Sequence, residues 1–186
     1  MKFQDDIDYI GRVLRGDVSA YALLVAKYKN LVFSIVLKII NNREDAEEVS
    51  QDVFLKAYQS LSTFEKKSKF STWLYRIAYN AAISKTRKKK VEMVAIEETV
   101  ITNYSTDEIG RNMNELEEND RQLILERALL RLPEEDNLLI MLFYKNENSI
   151  DDISDITGLS VSNVKVKLHR IRKRLYEEMN GLIKRN

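Results

Sequence analysis

Hydrophobic residues in the first half of the chain recur at the three- and four-residue intervals that are typical of amphipathic helices. The pattern predicts helices over four runs, residues 17–28, 31–40, 42–61 and 73–84. Asp17 and Asn42 are placed to cap the first and third of these helices. Residues 60–71 are polar and predict a loop. Four helices are enough for a compact bundle.

The second half predicts a helix at residues 123–132, a second with Pro133 in its first turn, and a break at residues 145–148. Ser149 with Asp152 then forms the pattern of a capping box, which opens a short helix through Ile156. Gly158 supplies a turn, and Ser160 caps a last helix running to about Met179. A short helix, a glycine turn and a longer helix predict a helix-turn-helix domain.

Composition supports an all-α fold, because the 186 residues include one proline and five glycines. The chain has no cysteine, which excludes disulfides and thiol nucleophiles and is compatible with a reducing cytoplasm. The N-terminus is polar, and the longest apolar run, residues 31–40, is too short to cross a bilayer. We expect a cytoplasmic protein with no direct membrane insertion.

Charge is distributed unevenly, although the formal net charge is only +1. Residues 66–90 contain nine basic side chains and no acidic one, whereas residues 91–120 contain nine acidic side chains and a single basic one, Arg111. Basic residues dominate again after Ser160. The acidic stretch also has the weakest periodicity, so it predicts a flexible acidic linker at residues 92–118 between domains at residues 1–91 and 119–186.

The last predicted helix carries the sharpest functional signal. An apolar stripe is expected to pack on the preceding helices, and it comprises Val164, Leu168, Ile171 and Leu175. The opposite face carries Ser162, Asn163, Lys165, Val166, His169, Arg170, Lys173 and Arg174. Such a helix fits the major groove of DNA, where lysine and arginine bind base edges and phosphates. The alternative is a solvated basic helix without a DNA partner.

Residues 64–90 combine basic side chains with aromatic ones. Separated DNA strands need both, because phosphates attract cations and unstacked bases stack on aromatic rings. The alternative is plain core, since Trp73, Ile77 and Ala81 recur at helical spacing. We expect both to apply, with Trp73 partly buried and with Phe64, the loop bases and Asn80 closer to nucleic acid.

Residues 44–52 contain many acidic side chains on one predicted helix. Acidic side chains so open on a helix are more typical of a solvated face, or of a docking surface for a basic partner, than of acid-base catalysis. His169 is the only histidine, and the chain contains no glycine-rich phosphate loop. We therefore expect no metal, no cofactor and no catalytic residue.

Two blocks of sequence resemble the extracytoplasmic-function (ECF) sigma factors of the sigma-70 family. The first comprises residues 45–58, DAEEVSQDVFLKAY, and residues 70–80, FSTWLYRIAYN, and is similar to their second conserved region. The second comprises LPEE at residues 132–135 and IDDISDITGLSVSNVKVKLHRIRKRL at residues 150–175, and is similar to their fourth region. The blocks stand in the expected order with a linker between them.

This resemblance implies a protein that binds core RNA polymerase and directs promoter recognition, DNA opening and transcription initiation. The acidic helix would dock on the polymerase through Asp45, Glu48, Gln51, Asp52, Phe54 and Leu55. The start-proximal element would be recognised and opened by Phe64, Lys66, Lys67, Lys69, Phe70, Ser71, Trp73, Arg76, Asn80 and Arg87. The linker would thread the active-site channel, although a merely solvated tether is an open alternative.

By the same resemblance, the last helix reads the upstream promoter element. Lys165, Val166, His169 and Arg170 would face bases, and Ser162, Lys167, Lys173 and Arg174 would contact phosphate. Many members of the family have a Gly-Thr pair where this chain has Ser162-Asn163, and a small polar residue where it has Val166. Promoter preference is expected to differ accordingly, and an anti-sigma factor is an expected partner.

Two other classes compete with this interpretation. A helix-turn-helix regulator with an N-terminal sensor bundle would bind its DNA tightly without polymerase. An enzyme that modifies nucleic acid would need a nucleophile, metal cluster or nucleotide loop, and the sequence offers no candidate for one.

Overall fold

The computed structural model describes residues 3–90 and 118–184, which are helical with no strand among them. The N-terminal part contains α1 (Phe3–Leu14), α2 (Ser19–Ile40), α3 (Arg43–Gln59), a 3₁₀ turn (Leu61–Thr63) and α4 (Phe70–Lys90). The C-terminal part contains α5 (Glu118–Arg131), α6 (Glu134–Ile140), a π turn (Met141–Lys145), α7 (Ile150–Thr157) and α8 (Val161–Ile183). The all-α prediction is confirmed. The predicted linker, residues 92–118, lies outside the described residues except for Glu118.

The second and third helices meet at a two-residue turn that the sequence predicted. Asn41 ends α2 in the left-handed backbone region at φ 52°, which asparagine tolerates better than most residues. Asn42 then caps α3, and its side chain accepts a hydrogen bond of 2.9 Å from the backbone N–H of Asp45.

The two helices predicted over residues 17–28 and 31–40 are a single helix, α2, so that prediction was wrong. Lys29 and Asn30 do not interrupt it, because the buried positions Tyr28 and Val32 continue one stripe across them.

Val18 immediately precedes α2 but has helical backbone angles and no capping side chain, and the backbone N–H of Ala20 donates a hydrogen bond of 3.2 Å to the carbonyl of Asp17. The Asp17 carboxylate accepts hydrogen bonds from the Ser19 hydroxyl and from Arg12, so Asp17 lies at the start of α2 as predicted.

Helix α1 was not predicted, because its N-terminal residues are polar and acidic. Ile10 and Val13 of α1 are buried. Asp6 is buried as well and is satisfied from α2, where Lys27 forms an ion pair with it and the Tyr28 hydroxyl donates a hydrogen bond of 2.6 Å. A buried carboxylate is stable there because both partners compensate for its lost hydration.

The helix-turn-helix prediction is confirmed at its caps. Ser149 and Asp152 form a reciprocal capping box at the start of α7, and Gly158 ends α7 with φ 74°. The Ser160 side chain accepts from the backbone N–H of Asn163 and so caps α8. Helix α8 ends at Ile183 rather than near Met179. Pro133 stands at the N-cap of α6 rather than in its first turn.

The two parts share one hydrophobic core. Buried residues of α2 and α4 and those of α6, α7 and α8 belong to the same cluster. Helix α7 packs against α4, and α6 packs against α2. A smaller cluster of Ile124, Ala128 and Leu182 joins α5 to the end of α8. The helix-turn-helix part is therefore held against the N-terminal bundle.

Candidate nucleic-acid and protein-binding surfaces

Helix α8 has the amphipathic arrangement that its sequence predicted. Val164, Leu168 and Ile171 are buried at 0%, 1% and 2% exposure, and Leu175 is half-buried. This stripe holds the helix on α6 and α7. Its opposite face is exposed at Ser162, Asn163, Lys165, Val166, His169 and Arg170.

Two other basic residues of α8 are less exposed, and a third is exposed but ion-paired. Lys167 is half-buried and lines a cavity of about 540 Å³ between the two parts. Lys173 is also half-buried, and Arg174 pairs with Asp136 of α6 at 3.0 Å. Arg172, which was not a candidate, lies over the rings of Phe143 and Tyr144. The first three turns of α8 therefore offer a set of accessible side chains without an ion-pair partner among the described residues.

The aromatic residues of the predicted strand-opening segment form a cluster. The Phe64 ring centroid lies 5.7 Å from that of Phe70 and 5.6 Å from that of Trp73. Phe64 and Phe70 are buried, at 7% and 1% exposure, whereas Trp73 is half-buried as predicted. The exposed position expected for Phe64 differs from the structure, because its ring completes the core beneath the loop.

The polar members of the same segment are accessible. Lys66, Lys67, Lys69, Arg76, Asn80 and Arg87 are exposed, and Ser71 is half-buried. Lys66 adopts a left-handed backbone at φ 58°. Phe64, Lys67, Trp73 and Arg76 line a groove of about 230 Å³, whose lining also includes Asp155 of α7. Glu65 also lines this groove and forms an ion pair with Lys67. The groove therefore combines aromatic rings and cations, which can bind a base and its phosphate, with two carboxylates.

The acidic face of α3 is stabilised from α4. The Lys85 ammonium lies 3.0 Å from the Glu48 carboxylate and 3.4 Å from that of Asp45. The hydrogen bond to Glu48 is the main cause of a raised Lys85 pKa. Gln51, Asp52 and Leu55 are exposed, while Asp45 and Phe54 are half-buried. An apolar side chain among open carboxylates is typical of a protein-docking surface.

A tyrosine of α2 supports the same face. The Tyr21 hydroxyl donates a hydrogen bond of 2.6 Å to the backbone carbonyl of Phe54. Burial of this hydroxyl raises the pKa of Tyr21 to about 12. The backbone that presents Phe54 and Leu55 is therefore fixed by a contact across the bundle.

Sequence reasoning missed one set of contacts. Thr72 of α4 is buried and donates a hydrogen bond of 2.8 Å to Asp152 of α7, 80 residues away in the chain. The capping box already accounted for Asp152, so nothing in the sequence indicated its second contact, with Thr72.

The described residues offer neither a metal centre nor a membrane span. Among them, no three histidine or acidic side chains are grouped so that they could hold a metal ion. Within residues 3–90 and 118–184, each helix is too short or too polar to traverse a bilayer.

These surfaces define a class of transcription factor in which a helical bundle with a basic aromatic segment is combined with a helix-turn-helix domain. The family model for Sigma-70 region 2 matches residues 24–91, and that for Sigma-70, region 4 matches residues 122–175. The chain belongs to the extracytoplasmic-function sigma factors of the sigma-70 family. It binds core RNA polymerase and directs promoter recognition, DNA opening and transcription initiation.

Curated relatives match over nearly the whole chain. The ECF RNA polymerase sigma factor SigW of Bacillus subtilis (strain 168) is 32% identical over 179 residues, which cover 93% of this chain and 96% of that protein. The ECF RNA polymerase sigma-E factor of Escherichia coli (strain K12) is 31% identical over 182 residues, which cover 95% of each chain.

Solved structures show the same fold. The sigma factor RpoE, in complex with the anti-sigma factor NepR from Bartonella quintana, matches with a TM-score of 0.62 and 23% identity over 88% of this chain and 98% of that one. CnrH, in complex with the cytosolic domain of CnrY, matches with a TM-score of 0.60 and 18% identity over 95% of this chain and 98% of that one.

Proposed function

We propose that three separate surfaces divide the work of this sigma factor: α3 docks on polymerase, the segment from Phe64 to Arg87 takes the opened strand, and α8 reads upstream duplex. The observation that carries this division is the form of α8, which follows a capped turn and has an exposed face opposite the buried residues Val164, Leu168 and Ile171. A helix supported in this way can enter a major groove without losing its own packing.

At the upstream promoter element, four residues of α8 face the bases: Lys165, Val166, His169 and Arg170. Ser162 and Asn163 lie where the helix enters the major groove. Their exposure supports these roles. Lys167, Lys173 and Arg174 act on phosphates, and Arg174 exchanges its contact with Asp136 for DNA. Phosphate contacts fix the register of the helix, and base contacts supply the specificity.

At the start-proximal promoter element, Asn80 and the groove beside Trp73 bind bases of the opened strand. The exposed lysines and arginines of the same segment bind the backbone of that strand. The buried Phe64 and Phe70 act beneath this surface by positioning Trp73. Stacking and phosphate contacts made only by separated strands shift the equilibrium toward open DNA.

Docking on polymerase uses Glu48, Gln51, Asp52 and Leu55 directly, supported by Asp45 and Phe54. The exposed side chains lie along one stretch of α3. A basic partner surface would replace Lys85 as the counter-ion of Glu48. Such complementary charges mainly determine partner choice and association rate.

The division at residues 1–91, 92–118 and 119–186 belongs to the same proposal, and the two family matches on either side of the linker support it. The protein acts by binding rather than by catalysis, and in the cytoplasm, where polymerase and promoters are. An anti-sigma factor is a proposed partner, supported by similarity to the fold of RpoE and CnrH, both solved in complex with a second protein.

Reconstituted transcription with core polymerase and a promoter library tests the proposal. We expect promoter-dependent initiation that requires the protein, together with weak promoter binding when polymerase is absent. A helix-turn-helix regulator would give the opposite result, with tight binding on its own and no place in the holoenzyme. Loss of both core binding and promoter-dependent initiation would overturn the proposal.

A further inference from the structure

A charged group is buried where α1 packs on α2. The Asp6 carboxylate is 3% exposed, and its Oδ2 accepts a hydrogen bond of 2.6 Å from the Tyr28 hydroxyl. Lys27 forms an ion pair with the same carboxylate, and its ammonium lies 5.2 Å from the centroid of the Tyr28 ring. A hydrogen bond to a charged acceptor is shorter and stronger than one between neutral groups. The buried Tyr28 ring is therefore anchored at its hydroxyl end on α1.

The anchored ring packs against the first residue of α4. The centroids of the Tyr28 and Phe70 rings lie 5.6 Å apart with their planes at 63°, which is an edge-to-face pair. The Tyr75 ring of the same helix also contacts Tyr28, at 6.3 Å and 76°. Two rings of α4 are thus held from α2 by a residue that is itself fixed by α1.

Phe70 connects this buried pair with the groove of the strand-opening segment. Its ring centroid lies 5.7 Å from that of Trp73 and 5.7 Å from that of Phe64, and Phe64 and Trp73 also contact each other. Phe70 is fully buried, whereas Trp73 is half-buried and lines the groove. Because buried rings are closely packed, a shift of Tyr28 would move Phe70 and change the orientation of Trp73.

Another tyrosine of α2 serves a different surface. The Tyr21 ring packs on Tyr58 of α3 at 5.0 Å, and its hydroxyl donates to the backbone carbonyl of Phe54. Tyr21 therefore supports the docking face, whereas Tyr28 supports the rings beneath the groove. The two residues have the same chemistry and lie on one helix, so they form a matched pair for an experiment.

We infer that Tyr28 is a positioning residue for DNA opening: its hydroxyl, held by Asp6, fixes the ring that sets Phe70, and Phe70 holds Trp73 in the orientation that binds a base of the opened strand. This inference rests on the proposed role of the groove beside Trp73. Asp6 and Tyr28 act through the intervening rings and do not themselves contact DNA. A ring that is already oriented loses less freedom when a base stacks on it, so the separated strand binds more tightly.

The first test uses Trp73 as the reporter. It is the one tryptophan of the chain, so the fluorescence of the free protein reports on the groove alone. Tyr28→Phe and its control Tyr21→Phe each remove one hydroxyl that donates a hydrogen bond of 2.6 Å, and each keeps the ring. We expect Tyr28→Phe to shift the emission maximum of Trp73 and to increase its quenching by acrylamide, and Tyr21→Phe to change neither. Unchanged fluorescence in Tyr28→Phe, or equal changes in both variants, would overturn the inference.

The second test measures binding of the opened strand. The probe is a labelled single-stranded oligonucleotide from the non-template strand of a promoter that the holoenzyme opens. We expect Tyr28→Phe to bind it about two- to tenfold more weakly, the range that corresponds to one aromatic contact. In holoenzyme, permanganate reactivity should fall while core affinity is retained. Lower thermal stability with unchanged strand affinity would indicate a purely structural role and would overturn the inference.

The third test addresses the anchor on α1. Asp6→Ala and Tyr28→Phe break the same hydrogen bond, so their effects on strand affinity should overlap. The double variant should therefore bind the oligonucleotide no more weakly than Asp6→Ala alone. Additive losses would show that the two residues act independently and would overturn the inference.

Trp73→Leu separates this inference from the proposed function. The substitution keeps an apolar side chain and removes the surface on which a base stacks. If Trp73→Leu binds the oligonucleotide as tightly as the unsubstituted chain, the groove does not bind the strand, and the proposed function fails. Weakened binding by Trp73→Leu together with unaffected binding by Tyr28→Phe overturns the inference alone.

Discussion

Lys85 on α4 donates a hydrogen bond of 3.0 Å to Glu48 on α3, and it lies 3.4 Å from Asp45 as well. One ammonium thus serves two of the carboxylates assigned to polymerase docking. Glu48 and Asp45 contribute to the packing of α3 on α4 in addition to any partner that they meet. Asp52 is exposed on the same helix and is not one of the two carboxylates that pair with Lys85.

Charge reversal at Asp52 tests the docking surface with the least effect on the fold. Glu48→Lys combined with Asp52→Lys should weaken core association, but the first change also places a cation beside Lys85. Asp52→Lys alone should lower core affinity by about 1 kcal/mol or more, mainly through slower association. Fluorescence anisotropy with labelled protein measures this, and Glu47→Lys on the same helix is the control. Unchanged affinity would move the docking face elsewhere.

Arg170→Ala and Arg172→Ala should separate DNA reading from domain stability. Arg170 is exposed on the recognition face, so its loss should cost about 1–3 kcal/mol in upstream-element binding with little change in Tm or core binding. Arg172 lies 5.2 Å from the Phe143 ring centroid and hydrogen-bonds the Tyr144 hydroxyl, so its loss should lower stability by about 0.5–1 kcal/mol. Footprinting and thermal unfolding measure the two effects. Unchanged upstream protection in Arg170→Ala would contradict this assignment.

Asn80→Ala should impair strand opening more than recruitment. Asn80 is exposed and has both a donor and an acceptor for a base edge. It lines a shallow groove with Ser84 and Lys56, and Ser84→Ala is the matched control in that groove. Permanganate reactivity should fall in Asn80→Ala while polymerase recruitment is retained. An equal loss in both variants would indicate a general defect of α4.

Phe64→Ala should act first on stability. The ring is buried against Phe70 and Trp73, and removing a buried aromatic side chain typically costs about 3–5 kcal/mol. Urea unfolding should show this loss directly, and Phe64→Leu should retain much of the stability because it fills part of the same volume. A stable Phe64→Ala with a pure opening defect would place the ring in direct contact with DNA instead.

Acid should weaken the contact between α7 and α4. Burial alone would raise the pKa of Asp152, but the hydrogen bonds from Ser149 and Thr72 outweigh burial and lower it. Its carboxylate therefore favours the folded state above about pH 4. This contribution is lost as the pH falls through the lowered folded-state pKa. The stability advantage of the native chain over Asp152→Asn should therefore be full at neutral pH and shrink toward pH 3. A constant difference between the two proteins across that range would contradict the prediction.

Helix ends and faces could be predicted from sequence, because their causes are local. The asparagine turn at residues 41–42, the capping box at Ser149 and the stripe along α8 depend only on neighbouring residues. Helix α1 could not be predicted in the same way. Its stability depends on burying Ile10 and on pairing Asp6 with Lys27 and Tyr28, which come from another helix.

The site was predictable to a similar extent. Exposure of Asn80 and Arg170 agrees with the periodicity of their helices. Burial of Phe64 was not evident, because a ring in a polar loop can point either way until the tertiary fold forms. The pairing of Thr72 with Asp152 joins residues 80 apart, and no local pattern reports it.

Lys66 has the backbone of a glycine-like position, at φ 58°, within the loop that carries the basic residues of the strand-opening segment. Glycine and asparagine accept this conformation easily, lysine accepts it at some cost, and β-branched residues strongly resist it. The range of side chains that position 66 tolerates is therefore set by the backbone as well as by charge. Arginine or asparagine could replace Lys66 without reshaping the loop, whereas valine or isoleucine would force the chain on either side of it to move.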